Sequence, residues 1–177
     1  AQGHIASVIN GGIAGTGGDV PSFCLTRLLH NRSVDLVITE FAVNPTRRAD
    51  ADRLYTLIRA RGAAHIVLDL FVGGKWGPAQ IQPETHETVQ AAKSAGLTTI
   101  SAASAFAPVW GKVEPFTPQA FFINGEGYHP GPNGHLFIGR LICAYLATFV
   151  PGNFTINDTT DTSASASANV SVHVSVN

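Results

Sequence analysis

Apolar runs alternate with amphipathic stretches along the first 150 residues. Ile5-Ala6-Ser7-Val8-Ile9 is a short apolar run ended by Asn10-Gly11-Gly12, the form of a buried strand. Pro21–His30 then sets Leu25, Leu28 and Leu29 on one side of a helix, and Val34–Val43 predicts a second, stronger strand. Asp50–Arg61 spaces Leu54, Leu57 and Ile58 as a helix does, with Gly62 suited to the position after its C-cap. The cycle repeats. His65–Phe71 reads as a strand, Gly73–Pro78 as a loop, Pro83–Ala95 as a helix stopped by Gly96, and Leu97–Ala102 as a strand. Gly134–Val150 forms the last helix, ended by Pro151-Gly152. Apolar strands separated by helices of about a dozen residues predict an α/β domain over residues 1–152, a three-layer parallel sheet covered on both faces.

Beyond Gly152 the pattern changes. Asn153–Asn169 is mostly Asn, Thr, Asp, Ser and Ala, which cannot build a core and reads as a linker. Val170, Val172, Val174 and Val176 then alternate with Ser171, His173 and Ser175. That period of two marks either a strand with one dry face or an unstructured Ser/Val tail. Residues 153–177 are therefore set apart as a linker with a terminal strand-like segment.

Composition narrows the class. Hydrophobic residues make up 45% of the 177, enough for a core, while charged residues are only 13%. With 11 Lys+Arg against 12 Asp+Glu the formal net charge is -1, so no basic field exists to hold nucleic acid. No apolar run reaches the length of a membrane span. Cys24 and Cys143 are too few for a disulfide scaffold or a four-ligand zinc site; they form one bridge or remain two thiols. His4, His30, His65, His86 and His173 are scattered without ligand spacing, so no metal is expected, and no cofactor either. Sequons stand at Asn31, Asn153, Asn157 and Asn169, whereas Pro45 excludes Asn44. Three of them crowd the low-charge tail, which predicts a secreted glycoprotein bearing N-linked glycans. The chain contains no Met and begins Ala-Gln-Gly-His, as expected of a processed product or a fragment.

Ligands of open α/β sheets bind at the carboxyl ends of the strands. Three features fall there. Asn10-Gly11-Gly12-Ile13-Ala14-Gly15-Thr16-Gly17-Gly18 follows the first strand, and such a loop exposes backbone N–H groups to an anion or is simply a turn. As a dinucleotide fingerprint it lacks a clearly placed acidic residue. Asn44, before Pro45, ends the second strand with its amide aimed at the crevice, or makes ordinary turn chemistry. Glu126-Gly127-Tyr128-His129-Pro130 precedes the last helix, and a carboxylate three residues before a His can fix its tautomer and leave the other ring nitrogen as a base. His135, within that helix, is expected to pack or cap.

Together and in this order the three features resemble the SGNH (GDSL-type) hydrolases, esterases with a flavodoxin-like sheet. Asn10-Gly11-Gly12-Ile13-Ala14-Gly15 looks like the family's Asn-x-Gly-x-x-Gly turn, and the resemblance makes the Gly15 N–H an oxyanion donor. Ala42-Val43-Asn44-Pro45 matches the Gly-x-Asn-Asp block at Asn44, the second donor, without the flanking Gly and Asp. His129-Pro130 matches the end of Asp-x-x-His-Pro, with Glu126 in the Asp position. The resemblance covers residues 4–150 and implies an ester or carbohydrate substrate.

The departure lies at the nucleophile. The family carries it in a Gly-Asp-Ser segment after a strand central to the sheet, ahead of the Asn-Gly turn. No Gly-Asp-Ser occurs in the chain; Gly18-Asp19-Val20 is the nearest string, and neither Ser7 nor Ser22 has an adjacent base. Two readings follow. One is a secreted esterase whose Ser lies upstream of Ala1. The other is a non-catalytic extracellular protein that self-associates through residues 170–177. A third, weaker one is a carbohydrate-binding module that stacks sugars on Trp76 or Trp110.

Overall fold

The computed structural model describes residues 7–12, 16–41, 44, 46–71, 87–127 and 129–149, and the backbone of 154–156 and 174–176. The chain divides into two compact units: Gly11–Ile138, and Ala1–Asn10 together with Gly139–Asn177.

The larger unit is built on a parallel sheet. β1 (Leu36–Glu40), β2 (Ala64–Asp69) and β3 (Thr98–Ser101) lie in that order, with Val37 opposite His65 and Leu68 opposite Ile100. The crossovers are helical: α2 (Arg48–Ala60) joins β1 to β2, and α3 (Glu87–Ser94) leads into β3. α1 (Asp19–Leu28) precedes the sheet. All six elements fall where the hydrophobic pattern places them, shifted by a few residues at their ends.

Their packing follows from the two periods. In α2, Ala51, Leu54, Tyr55 and Ile58 recur on one face and are buried. They meet Leu25 and Leu29 of the first helical segment, Val67 of β2, and Ala91 and Ala92 of α3 in one core, with Val37 and Phe41 at its margin. Alternate strand positions point to the opposite face, where Ile66, Leu68 and Ile100 are also buried. Coverage stops at β1, whose Ile38 lies in register with buried Ile66 yet is exposed.

Helix ends are closed by backbone. Gly96 (φ 66°) follows α3, its N–H bonding Lys93 O at 3.0 Å while Leu97 N reaches Ala92 O at 2.9 Å. Gly62 (φ 74°) closes α2 on Arg59 O in the same manner, as its position in the sequence predicts.

The stretch after β3 carries elements that hydrophobic periodicity does not announce. α4 (Ala102–Phe106) starts at once, its first turn capped by Ser101 Oγ, which accepts from Ser104 N at 3.1 Å. α5 (Pro118–Phe121) and a 3-10 turn (Ile123–Gly125) follow. An aromatic core forms here. The Trp110 ring, fully buried, lies 4.7 Å from Phe71, 5.3 Å from Phe121 and 5.8 Å from Phe122, near edge-on. α6 (Pro132–Ala147) begins in this unit and continues into the second.

In the second unit, β4 (Phe154–Ile156) pairs antiparallel with β5 (Val174–Val176). The terminal Val-x-Val segment thus has its ladder partner in its own chain. Of the expected Ile5–Ile9 strand, the described residues Ser7–Ile9 carry no strand, and Val8 is 69% exposed. An apolar run becomes a strand only where a ladder is offered. Ile5 and Ala6 of that run, and the loop Gly73–Pro78 with Trp76, lie outside the described residues. Cys24 and Cys143 are free thiols, so the bridge considered from the sequence is not made. No helix among the described residues is long and apolar enough to cross a membrane.

Candidate active site

The segment after β1 is tied to the glycine turn. Asn44 N donates to Phe41 O, just after the strand, at 3.2 Å. Thr46, buried, donates its hydroxyl to Asn44 O at 3.3 Å and accepts the Gly18 N–H at 2.8 Å. A β-carbon on Gly18 would stand 2.8 Å from Thr46 Cγ2 and 3.4 Å from the Phe41 ring. Glycine is needed here for close approach. Gly15 itself lies outside the described residues, as do Ala42, Val43 and Pro45.

The histidine turn is built on the aromatic core. Phe122 bridges Pro130, Ile123 N donates to His129 O at 2.9 Å, and Gly131 N donates to Phe121 O at 2.8 Å. Between these ties the chain bends through Asn124 (φ 52°), Gly125 (φ 67°) and Gly127 (φ 86°). The bend returns Glu126 to His129, and the Nδ1–H donates to the Glu126 carboxylate. The two side chains are 74% and 40% exposed for His129 and Glu126, so the pair adds at most about 1 kcal/mol to the fold. Nε2 of His129 has no hydrogen-bond partner among the described residues.

Below the turn the helix start is fixed closely. Asn133 Nδ2 donates to Ala120 O at 3.3 Å, and a β-carbon on Gly134 would meet Phe121 O at 2.5 Å. His135 lies exposed on the first turn of α6, its N–H bonded to Gly131 O at 2.9 Å.

Both segments share one edge of the sheet. Asn44 follows the carboxyl end of β1 by four residues. Phe71 follows the end of β2 by two, and its ring packs on Phe121 (5.7 Å) and Phe122 (5.9 Å), the base of the histidine turn. Asn44 thus follows the carboxyl end of β1, and the base of the histidine turn packs on Phe71 just beyond the carboxyl end of β2, the edge where ligands of open α/β sheets bind.

A further polar pair sits at this edge. Asp69, fully buried at the end of β2, accepts from Ser101 Oγ at 2.8 Å, and Ser101 in turn caps α4. An Asp inside the run His-Ile-Val-Leu-Asp-Leu-Phe was its only signal in the sequence. Thr46 gave none, because a hydroxyl after a strand reads as turn chemistry. Trp110 is enclosed and offers no stacking face, which removes it as a sugar platform. Among the described residues no group of three or more His, Cys, Asp or Glu is placed to hold a metal.

The class defined so far is an α/β domain on a parallel sheet, with an imidazole–carboxylate pair and an amide at its carboxyl edge. No protein-family model matches the chain, and no curated protein or solved structure matches it either.

Proposed function

We propose that the chain is the His-bearing part of a secreted ester hydrolase of SGNH type, with the flavodoxin-like sheet of that family. The observation that carries this reading is the Glu126–His129 hydrogen bond in the turn before α6, on the same sheet edge as Asn44. Glu126 holds the Nδ1 proton, so Nε2 presents its lone pair as the general base. The base would take a proton from a serine hydroxyl attacking an acyl or acetyl ester, such as a polysaccharide carries, and return it to the leaving alcohol. Asn44 and the Gly15 N–H would receive the oxyanion, the amide alone contributing about 10²–10³ in rate. Thr46 supports the geometry by linking Asn44 to the glycine turn. The serine must come from a segment outside these 177 residues.

The test is fluorophosphonate labelling of the intact protein from its natural source, followed by mapping of the labelled peptide. A labelled serine whose reactivity falls in His129→Ala, and in part in Glu126→Gln, supports the reading. A protein that takes no label and hydrolyses no acetyl ester sinks it.

A non-catalytic extracellular role in assembly is the second reading, and the β4–β5 pair favours it. Two strands of three residues each are too short to stand alone, and a strand from a second copy would complete them. Removing residues 163–177 should then abolish self-association; an unchanged sedimentation profile disposes of it.

A further inference from the structure

The outer face of α1 carries a feature that neither reading uses. Phe23 is 70% exposed, a large ring left in water. Arg53 lies over it, 4.5 Å from the guanidinium carbon to the ring centroid, so one face is engaged. At Cys24 the backbone leaves helical values (φ -126°, ψ 21°), and α1 bends. Beside the bend lies a shallow depression of about 530 Å³ lined by Phe23, Cys24, Thr26, Arg27, His30 and Asn31.

The lip of that depression is a glycan acceptor by sequence. Asn31-Arg32-Ser33 is the one sequon whose residues are all described, and all three are exposed. Its position is set by the helix end. His30 N bonds Arg27 O at 3.0 Å and Asn31 N bonds Thr26 O at 3.0 Å, with both residues left-handed (φ 51° and 57°). This reversal puts Asn31 on the rim that begins at Phe23.

We infer that Asn31 carries an N-linked glycan whose core sugars lie in this depression against Phe23. In the transfer, Asn31 Nδ2 forms a bond to the anomeric carbon of a lipid-pyrophosphate-linked oligosaccharide. The carbon–oxygen bond to pyrophosphate breaks, Nδ2 loses one proton, and the lipid pyrophosphate leaves. The apolar C–H face of a sugar suits the negative face of an aromatic ring, and its hydroxyls suit Thr26, Arg27 and His30 around it. The occupant supplies what the exposed ring lacks: cover from water. This inference rests on the extracellular reading of the chain.

The full chain, secreted from a eukaryotic cell line, tests both parts. Peptide mapping after enzymatic deglycosylation reads the occupancy of Asn31, Asn153, Asn157 and Asn169 separately. Alkylation of Cys24 by a maleimide, followed by the same mapping under native conditions, reads shielding of the depression. The expected result is an occupied Asn31, with Cys24 labelled severalfold more slowly than in deglycosylated protein or in Asn31→Gln. Phe23→Ala should restore fast labelling while the glycan stays attached. Equal labelling with and without the glycan overturns its seat in the depression. A bare Asn31 beside occupied tail sequons overturns the site and leaves the extracellular reading standing. Four bare sequons on a secreted product overturn both.

Discussion

Gly18 has no room for a side chain, and its N–H fastens the turn before α1 to Thr46. Gly18→Ala should therefore lower stability by about 1–3 kcal/mol through overpacking, read as a lower urea midpoint with an unchanged slope. A second residue acts through its proton. His65 in β2 lies edge-on to Tyr55 at 4.9 Å and shares a 2.9 Å hydrogen bond between Nε2 and Thr39 Oγ1. Burial pushes its pKa down to about 4 from an ordinary 6.5. The unfolded chain thus binds a proton that the folded one refuses, and stability falls as pH drops from 6.5 towards 4, then levels off. The full shift would be worth about 3 kcal/mol, and about 2 kcal/mol is expected because the ring keeps some solvent. Denaturant titrations of His65→Gln should show that much less acid dependence than wild type over this window. A difference curve that stays flat would mean that His65 does not carry the effect.

Elements divide by how they are specified. β1, β2, β3 and α1–α3 were legible because each repeats its period over a turn or more, and glycines at 62 and 96 mark two of the ends. α4 and α5 were not. Each is shorter than two turns and owes its start to a cap, Ser101, or to Pro118 at its first position, so no periodicity exists to read. The run ending at Ile9 shows the reverse failure: its described residues, Ser7–Ile9, are in no ladder, and Val8 lies in water. For the candidate site, spacing disclosed Glu126 and His129, since three residues suffice to bring them together. It could not disclose Thr46, whose partner Gly18 is 28 positions away. Of α1–α3, α1 alone is closed without glycine. His30 takes the left-handed position that glycine fills after α2 and α3. His30→Gly should relieve that strain and raise stability by about 0.5–1 kcal/mol, measurable as a higher denaturant midpoint.

At the scale of the molecule, the two units are held by different means. Gly11–Ile138 owns a sheet with helices and a ring of phenylalanines, whereas the described part of the second unit offers the end of α6 and the β4–β5 ladder. The units should therefore respond differently to denaturant, and Trp110 provides the way to watch one of them. Its indole is sealed by Phe71, Phe121 and Phe122, and its N–H has no hydrogen-bond partner among the described residues. With Trp76→Phe it becomes the sole indole in the chain. Emission from that variant should be blue-shifted and resist acrylamide quenching until Gly11–Ile138 opens, then redden in one step. Red emission in the native protein would mean that water reaches the ring. The packing that denies Trp110 any contact with a sugar thus turns it into an internal dye, one that reports on the body bearing His129 and stays silent to events in the tail.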